Sequence, residues 1–248
     1  MNSVFQPEHQ KNFIIFSMSH LFMIALMFLV ILTFIVFRQS LRSNGKVRYM
    51  IRWGFFSVLI LSEASYQIWS VVHAVWDPRF QLPLQLCSIS SFVVLYFLLK
   101  PTPSRFQLVY FIALLPPLLA IITPDLLYNS PHYRFFQFFI HHISLVSVVF
   151  FYIIVEKFRP KFKSILIAFM FINLIALPIS FVNQSIGSNY MFLEGPPSSN
   201  TLLSLFGTGY SYLIKLEIVT ITAFFLTYVP FLLKNLHIKH ERKNDFNL

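Results

Sequence analysis

FIIFSMSHLFMIALMFLVILTFIVF, residues 13–37, runs for twenty-five positions without an Asp, Glu, Lys or Arg. As an α-helix rising about 1.5 Å per residue, it is long enough to cross a hydrocarbon layer roughly 30 Å thick. A helix also satisfies its own backbone donors and acceptors, as any segment crossing lipid must. The run is too long for a cleaved signal peptide, lacks a basic stretch before it, and has no small-residue cleavage site after it. Its basic flank, Arg38, Arg42, Lys46, Arg48 and Arg52, lies on the far side, where cytoplasmic residues are expected.

The same reading recurs at 53–75, 82–99, 106–123, 134–155, 163–183 and 206–233. The expected fold class is therefore all-α: a polytopic membrane protein with seven transmembrane helices forming one membrane domain over residues 1–248. Composition agrees, with 56% apolar and 11% charged residues and a mean hydropathy of +0.68, more apolar surface than a soluble fold can hide. Within 106–123, Pro116-Pro117 removes two backbone donors and predicts a kink. No internal repeat is strong enough to name. The longest connection, 184–205, holds Gly187, Gly195, Pro196 and Pro197 and reads as an ordered or re-entrant loop.

The formal charge of +10 is not gathered on one folded face, so nucleic acid is not an expected partner. The charge alternates with the helices instead. Lys100 and Arg105 follow the third helix, Lys157, Arg159, Lys161 and Lys163 follow the fifth, and Lys234, Lys239, Arg242 and Lys243 form the tail. With the first flank, 15 of the 19 basic residues fall on one side. Lys11, Arg79 and Arg134 fall opposite, with Glu8, Asp77, Asp125 and Glu194. This alternation predicts an amino terminus outside and a carboxyl terminus in the cytoplasm.

Ionisable groups inside a bilayer are costly and commonly mark a function. On this topology Cys87, His141, His142 and His20 share a level near the outer leaflet, with Gln85, Gln137, Asn183, Asn189, Tyr190 and Glu217 in the same layer. Glu63 and Lys215 are further ionisable groups in spanning segments, the first expected to pair with a polar neighbour and the second to snorkel. Along the fifth helix Arg134, Gln137, His141 and Ser144 share one face, while His142 points about 100° away towards Phe135, Phe138 and Phe139. Local polarity therefore favours His141 as the inward residue. Each group also has a structural reading: intramembrane histidine serves equally as an interhelical strut, and lone buried cysteine often only fills space.

Three chemistries fit parts of this pattern. A cysteine becomes a nucleophile when a histidine can take its proton, and the same histidine can then protonate a leaving alkoxide, so Cys87 with His141 or His142 fits acyl transfer. Broken helices at Pro116-Pro117 and Pro178 fit a transporter, but the polar groups cluster on one side and no half is duplicated. A retinal receptor would use Lys215, which lies too shallow and lacks a carboxylate counter-ion on the third helix. No glycine-rich nucleotide loop, metal-ligand pair or haem motif is present, and no cofactor or metal is expected.

Leu82-Pro83-Leu84-Gln85-Leu86-Cys87, Thr123-Pro124-Asp125, Phe138-Phe139-Ile140-His141-His142 and Gly187-Ser188-Asn189-Tyr190-Met191-Phe192-Leu193 resemble, in this order, motifs of the YwaF-like integral membrane proteins of bacteria. The resemblance covers about residues 48–233. Those proteins are distantly similar to the eukaryotic transmembrane protein 164 family, cysteine-dependent acyltransferases acting on phospholipids. The resemblance implies roles for Cys87 and for the second histidine, His142, and so competes with the helical-face choice of His141. Gln85 stands where the pattern has a histidine.

These readings lead to an expected phospholipid-modifying protein of a bacterial cytoplasmic membrane, a cysteine/histidine acyltransferase or acyl-ester hydrolase. Cys87, His142 and His141 are its candidate catalytic residues, with Gln85, His20, Gln137, Asn183, Asn189, Tyr190 and Glu217 around the substrate. The alternative is a non-catalytic binder, scaffold or transporter of a lipid or small solute.

Overall fold

The chain folds in a computed structural model as a helical bundle, described over residues 4–7, 13–197 and 202–245. Its α-helices are α1 (Met18–Val36), α2 (Arg38–Ser43), α3 (Gly45–Val72), α4 (Leu86–Leu99), α5 (Pro103–Ile112), α6 (Leu115–Ile122), α7 (Tyr133–Ile154), α8 (Lys163–Ile186) and α9 (Gly209–Asp245). No strand occurs among the described residues. Glu8, Lys11 and the side chains of Lys234, Lys239, Arg242 and Lys243 lie outside them.

Six segments are long and apolar enough to cross a membrane: α1, α3, α5 with α6, α7, α8 and the part of α9 up to Leu233. The remaining expected crossing is α4, whose 14 residues cover only about 21 Å. It begins at Leu86 rather than Leu82 because Pro83 supplies no donor and the preceding turn closes on itself, Leu84 N–H to the Leu82 carbonyl at 2.7 Å. α3 extends the other way, starting at Gly45 inside the basic flank, where the Asn44 side chain caps the Val47 N–H at 3.1 Å.

α7 is the axis of the bundle. It packs against α1, α3, α4 and α6, and fourteen of its 22 residues are buried. By contrast, α1, α8 and α9 present Phe22, Phe28, Leu174, Leu177, Phe181 and Leu226 outwards, more than half exposed, as lipid-facing surfaces do. Around the end of α7 an aromatic cluster joins Phe97, Phe106, Tyr152 and Phe158, with Phe97 and Tyr152 ring centroids 4.6 Å apart.

The expected kink at Pro116-Pro117 is a full interruption, with α5 ending at Ile112 and α6 restarting at Leu115 so that both prolines sit in its first turn. Pro116 removes the N–H that would have reached the Ile112 carbonyl. Ser90 of α4, completely buried, fills the gap, its hydroxyl lying 2.8 Å from the Ile112 carbonyl and 2.7 Å from that of Leu86. One hydroxyl proton is thereby shared between the broken helix and its neighbour.

The basic side of the bundle is stitched by the same principle. Arg42 donates to the Ile154 and Val155 carbonyls at the end of α7, at 2.5 and 3.2 Å, and Arg52 to Leu99 at the end of α4, at 3.0 Å. Gln107 on α5 donates to the Arg159 carbonyl and accepts from the Lys161 N–H and the Ser164 hydroxyl, fixing the α7–α8 turn. Cations at helix C-termini also meet the negative end of the helix dipole.

Ser90→Ala should lower stability in detergent or bicelles by about 1 kcal/mol, above the roughly 0.6 kcal/mol average for membrane interhelical hydrogen bonds, since no backbone donor among the described residues replaces it. Ser90→Thr, which keeps the hydroxyl, isolates the hydrogen bond from the volume change. Equal stability of Ser90→Ala and wild type in reversible unfolding would refute the role.

Candidate functional site

α3, α4 and α7 converge at the end opposite the basic rim, and most of the polar groups singled out in the sequence gather there. Cys87 occupies the first turn of α4, directly after the N-cap Gln85 and Leu86. The Cys87 side chain is half-buried and free. As in any α-helix, the N–H groups of this first turn have no intrahelical acceptor. The thiol has no hydrogen-bond partner among the described residues.

The two neighbouring histidines do different things. His141 sets Nδ1 3.2 Å from the Ser62 hydroxyl of α3, and its ring lies beside the Cys87 main chain of α4. His142 places Nδ1 2.7 Å from the Phe138 carbonyl one turn back. A carbonyl only accepts, so Nδ1 carries the proton, and neutral His142 keeps its lone pair on Nε2. No partner among the described residues meets that Nε2. Both rings are buried, their centroids 5.6 Å apart.

The network continues outwards along α3 and α7. Gln137 donates to the Ser62 carbonyl and hydroxyl, both at 3.1 Å, and accepts from Arg134. Arg134 lies over the Tyr66 ring, 3.7 Å from its centroid, within electrostatic reach of Glu63. Glu63 accepts at 3.4 Å from Gln67 and, at its other oxygen, from Ser88, the residue after Cys87. Ser62, Glu63 and Ser88 thus belong to the cluster although they were not among the candidate site residues. Glu63 carried a signal: it is a lone carboxylate in a spanning segment, where charge persists only with partners.

Gln85, Asn183, Asn189 and Tyr190 form a second constellation, which folds the 187–195 loop over the start of α4. α8 ends on Gly187 in the left-handed region at φ 67°, reversing the chain. Asn183 then clamps Tyr190 from both sides, accepting from its N–H at 2.8 Å and donating to its carbonyl at 3.0 Å. The clamp holds Met191 and Phe192 at φ 56°, a conformation that side chains disfavour. Gln85 accepts from Met191 N–H at 3.0 Å, and Asn189 holds its own loop through the Gly195 carbonyl and Glu194 N–H. The Tyr190 hydroxyl accepts from Leu82 N–H at 2.9 Å and donates to the Pro78 carbonyl at 2.6 Å, securing the turn that leads into Cys87.

The structure places His20 and Glu217 in other arrangements. His20 is completely buried, donates through Nε2 to the Ile121 carbonyl at 2.8 Å and accepts at Nδ1 from Phe16 N–H at 2.9 Å. Both ring nitrogens are occupied, so it pins α1 to the end of α6. Glu217 on α9 accepts from Asn173 of α8 at 3.0 Å. Among the described residues, no group of three or more His, Cys, Asp or Glu side chains is arranged to hold a metal ion.

A family model described as the TMEM164 family matches residues 15–228. No curated protein and no solved structure matches the chain.

Tyr190→Phe keeps the ring and frees Leu82 N–H and the Pro78 carbonyl, so it should cost about 1–3 kcal/mol and speed hydrogen exchange at Leu82. Alkali should act in the same direction. Burial pushes the Tyr190 phenol up from 10.0 to about 12, so the folded state holds the proton longer; stability from this group is full below 10 and declines as pH rises towards 12. An unchanged stability in Tyr190→Phe, with the same alkaline profile as wild type, would remove Tyr190 from this role.

Proposed function

The chain belongs to the TMEM164 family, and from that premise we propose that it is a membrane-embedded lipid-modifying protein in which Cys87 carries an acyl group taken from a phospholipid ester. The observation that carries the reading is the junction of α4 and α7, where the His141 ring lies beside the Cys87 main chain and the adjacent His142 keeps an open Nε2. The reading includes a bacterial cytoplasmic membrane as its location, supported by the motif likeness to YwaF-like bacterial proteins.

In the reaction, His142 Nε2 accepts the Cys87 thiol proton and the thiolate attacks the ester carbonyl. The developing oxyanion is met by the unpaired N–H groups of the first turn of α4 and by the Gln85 side-chain amide, whose oxygen is already oriented by Met191. The C–O bond breaks, the lyso-lipid alkoxide takes the proton from His142, and a Cys87 thioester remains. A second lipid hydroxyl, or water, then gives its proton to His142 and attacks the thioester, regenerating the thiol. The first acceptor gives acyl transfer, the second ester hydrolysis. His141 acts as a positioning residue, holding the α4 turn against α3 and α7.

The topology belongs to the same proposal: seven crossings, with α4 as a short one, the basic rim in the cytoplasm and Cys87 towards the outer leaflet. In a Cys87→Ala background, Asp125→Cys in intact cells should react with a membrane-impermeant maleimide, and Ser43→Cys should react only after lysis. The reverse pattern would invert the protein.

For the chemistry, purified protein in phospholipid bicelles should exchange or release labelled acyl chains. Cys87→Ala should abolish this turnover, and His142→Ala should reduce it by about 10²–10⁴-fold, the usual range for general acid–base catalysis. His141→Gln should reduce it less, and the two histidine variants should differ in the pH profile of the residual rate. Full turnover by Cys87→Ala would end the nucleophile assignment. Saturable lipid binding without turnover in wild type would favour a binder, scaffold or transporter, a reading supported by the strut-like bonding of His141 and the unpartnered thiol.

A further inference from the structure

At the other end of α3, α4 and α7 lies a cavity of about 300 Å³, at the lower bound of the volumes of about 300–1,000 Å³ typical of ligand pockets. Gly45, Arg48, Tyr49 and Arg52 line it from α3, and Tyr152 and Glu156 from the end of α7. Leu99 and Cys87 are twelve residues apart on α4, so the cavity lies roughly 18 Å along that helix from the candidate catalytic turn.

Its donors are incompletely used. Tyr152, which lines the cavity, is 3% exposed, and its hydroxyl lies within electrostatic reach of Arg52 and Glu156 with no hydrogen-bond partner among the described residues. Arg52 spends Nη2 on the Leu99 carbonyl, while its Nε is buried without a partner. Arg48 pairs through Nε with Glu156 at 3.1 Å and through Nη1 with the Arg42 carbonyl, leaving Nη2. Gly45 and Lys46 begin a 28-residue helix, and their N–H groups are beyond the reach of its internal ladder. The Asn44 side chain caps Val47 instead.

We propose that this cavity binds a phosphate group, as a phosphate ester or free phosphate. Two guanidinium groups, a phenol and a helix start surround one space, and a tetrahedral anion can present oxygens to all of them, whereas a flat carboxylate reaches one fork at a time. Glu156 is the built-in competitor: it neutralises Arg48 while the cavity is empty and repels an entering anion. Removing its charge therefore tightens binding, opposite in sign to removing Arg52. The same basic end would face anionic headgroups on the topology proposed above, so lipid phosphate and soluble phosphate are the two sources to separate.

The test uses the full chain in phosphatidylcholine nanodiscs, reading the thermal midpoint against added ligand at constant ionic strength, since a ligand that binds only the folded state raises it saturably. One arm adds inorganic phosphate against matched chloride; the other exchanges phosphatidylcholine for phosphatidylglycerol. Wild type should give a saturable rise in at least one arm. Arg52→Gln should weaken apparent affinity at least tenfold, Tyr152→Phe about threefold to tenfold, and Glu156→Gln should strengthen it severalfold. Lys163→Gln, on the same rim outside the cavity, should leave it unchanged. Saturation by phosphate identifies a soluble anion site, and saturation by phosphatidylglycerol alone identifies a headgroup site. No saturable rise in either arm, or equal losses in Lys163→Gln and Arg52→Gln, would overturn the proposal. If Arg52→Gln does not fold, the opposite signs of Tyr152→Phe and Glu156→Gln decide it.

Discussion

Hydrocarbon offers no hydrogen bonds, so each backbone group that a helix fails to satisfy must be met by a side chain, and much of this bundle is organised around those places. Pro116 leaves the Ile112 carbonyl open and Ser90 meets it. α6 ends and His20 donates to Ile121. α4 ends and Arg52 donates to Leu99; α7 ends and Arg42 donates to Ile154 and Val155. These bonds join segments distant in sequence, so the rule that satisfies local backbone also sets which helices touch. Apolar packing then fills the space between the joints, most densely around α7.

The start of α4 is one of the helix ends that no side chain caps. The first turn of α4 follows Gln85, whose side chain makes no cap bond to the helix, and its donors point into the region that contains Cys87. Here the surrounding side chains fix the backbone from outside: Tyr190 secures the turn before it, Gln85 holds the folded loop, and His141 lies beside the Cys87 main chain. The N–H groups of this turn are thereby held still, which on the proposed reaction is what preorganised stabilisation of a developing negative charge requires.

The fold was legible because its signal is one of amount. A run such as 13–37 needs no partner to be read as a spanning helix, and α1, α7 and α8 lie close to the expected bounds. α4 shows where that signal fails, since Leu82 and Leu84 are apolar but sit in a turn governed by Pro83. The site was legible only as a shared depth. Depth grouped His20 with His141, although His20 is occupied by Phe16 and Ile121, and it grouped Glu217 with residues that it does not bond. What depth cannot carry is the rotation of one helix against another. That rotation puts Ser62 on His141 and Ser88 on Glu63, and the tautomer of His142 follows from a carbonyl one turn away.

The contrast between the two histidines also bears on why adjacent positions are both polar. On one helix, neighbours 100° apart face different partners, so His141 and His142 cannot do the same work. His141 bonds Ser62 of α3 and lies beside the start of α4. His142 turns back on its own helix through Phe138, and this local bond leaves its outer nitrogen free of the joint. A strut that also served as a base would loosen the bundle at each proton transfer, because protonation would change its hydrogen bond to Ser62. In the proposed reaction, separating the roles lets a proton move on His142 while His141 stays bonded to Ser62.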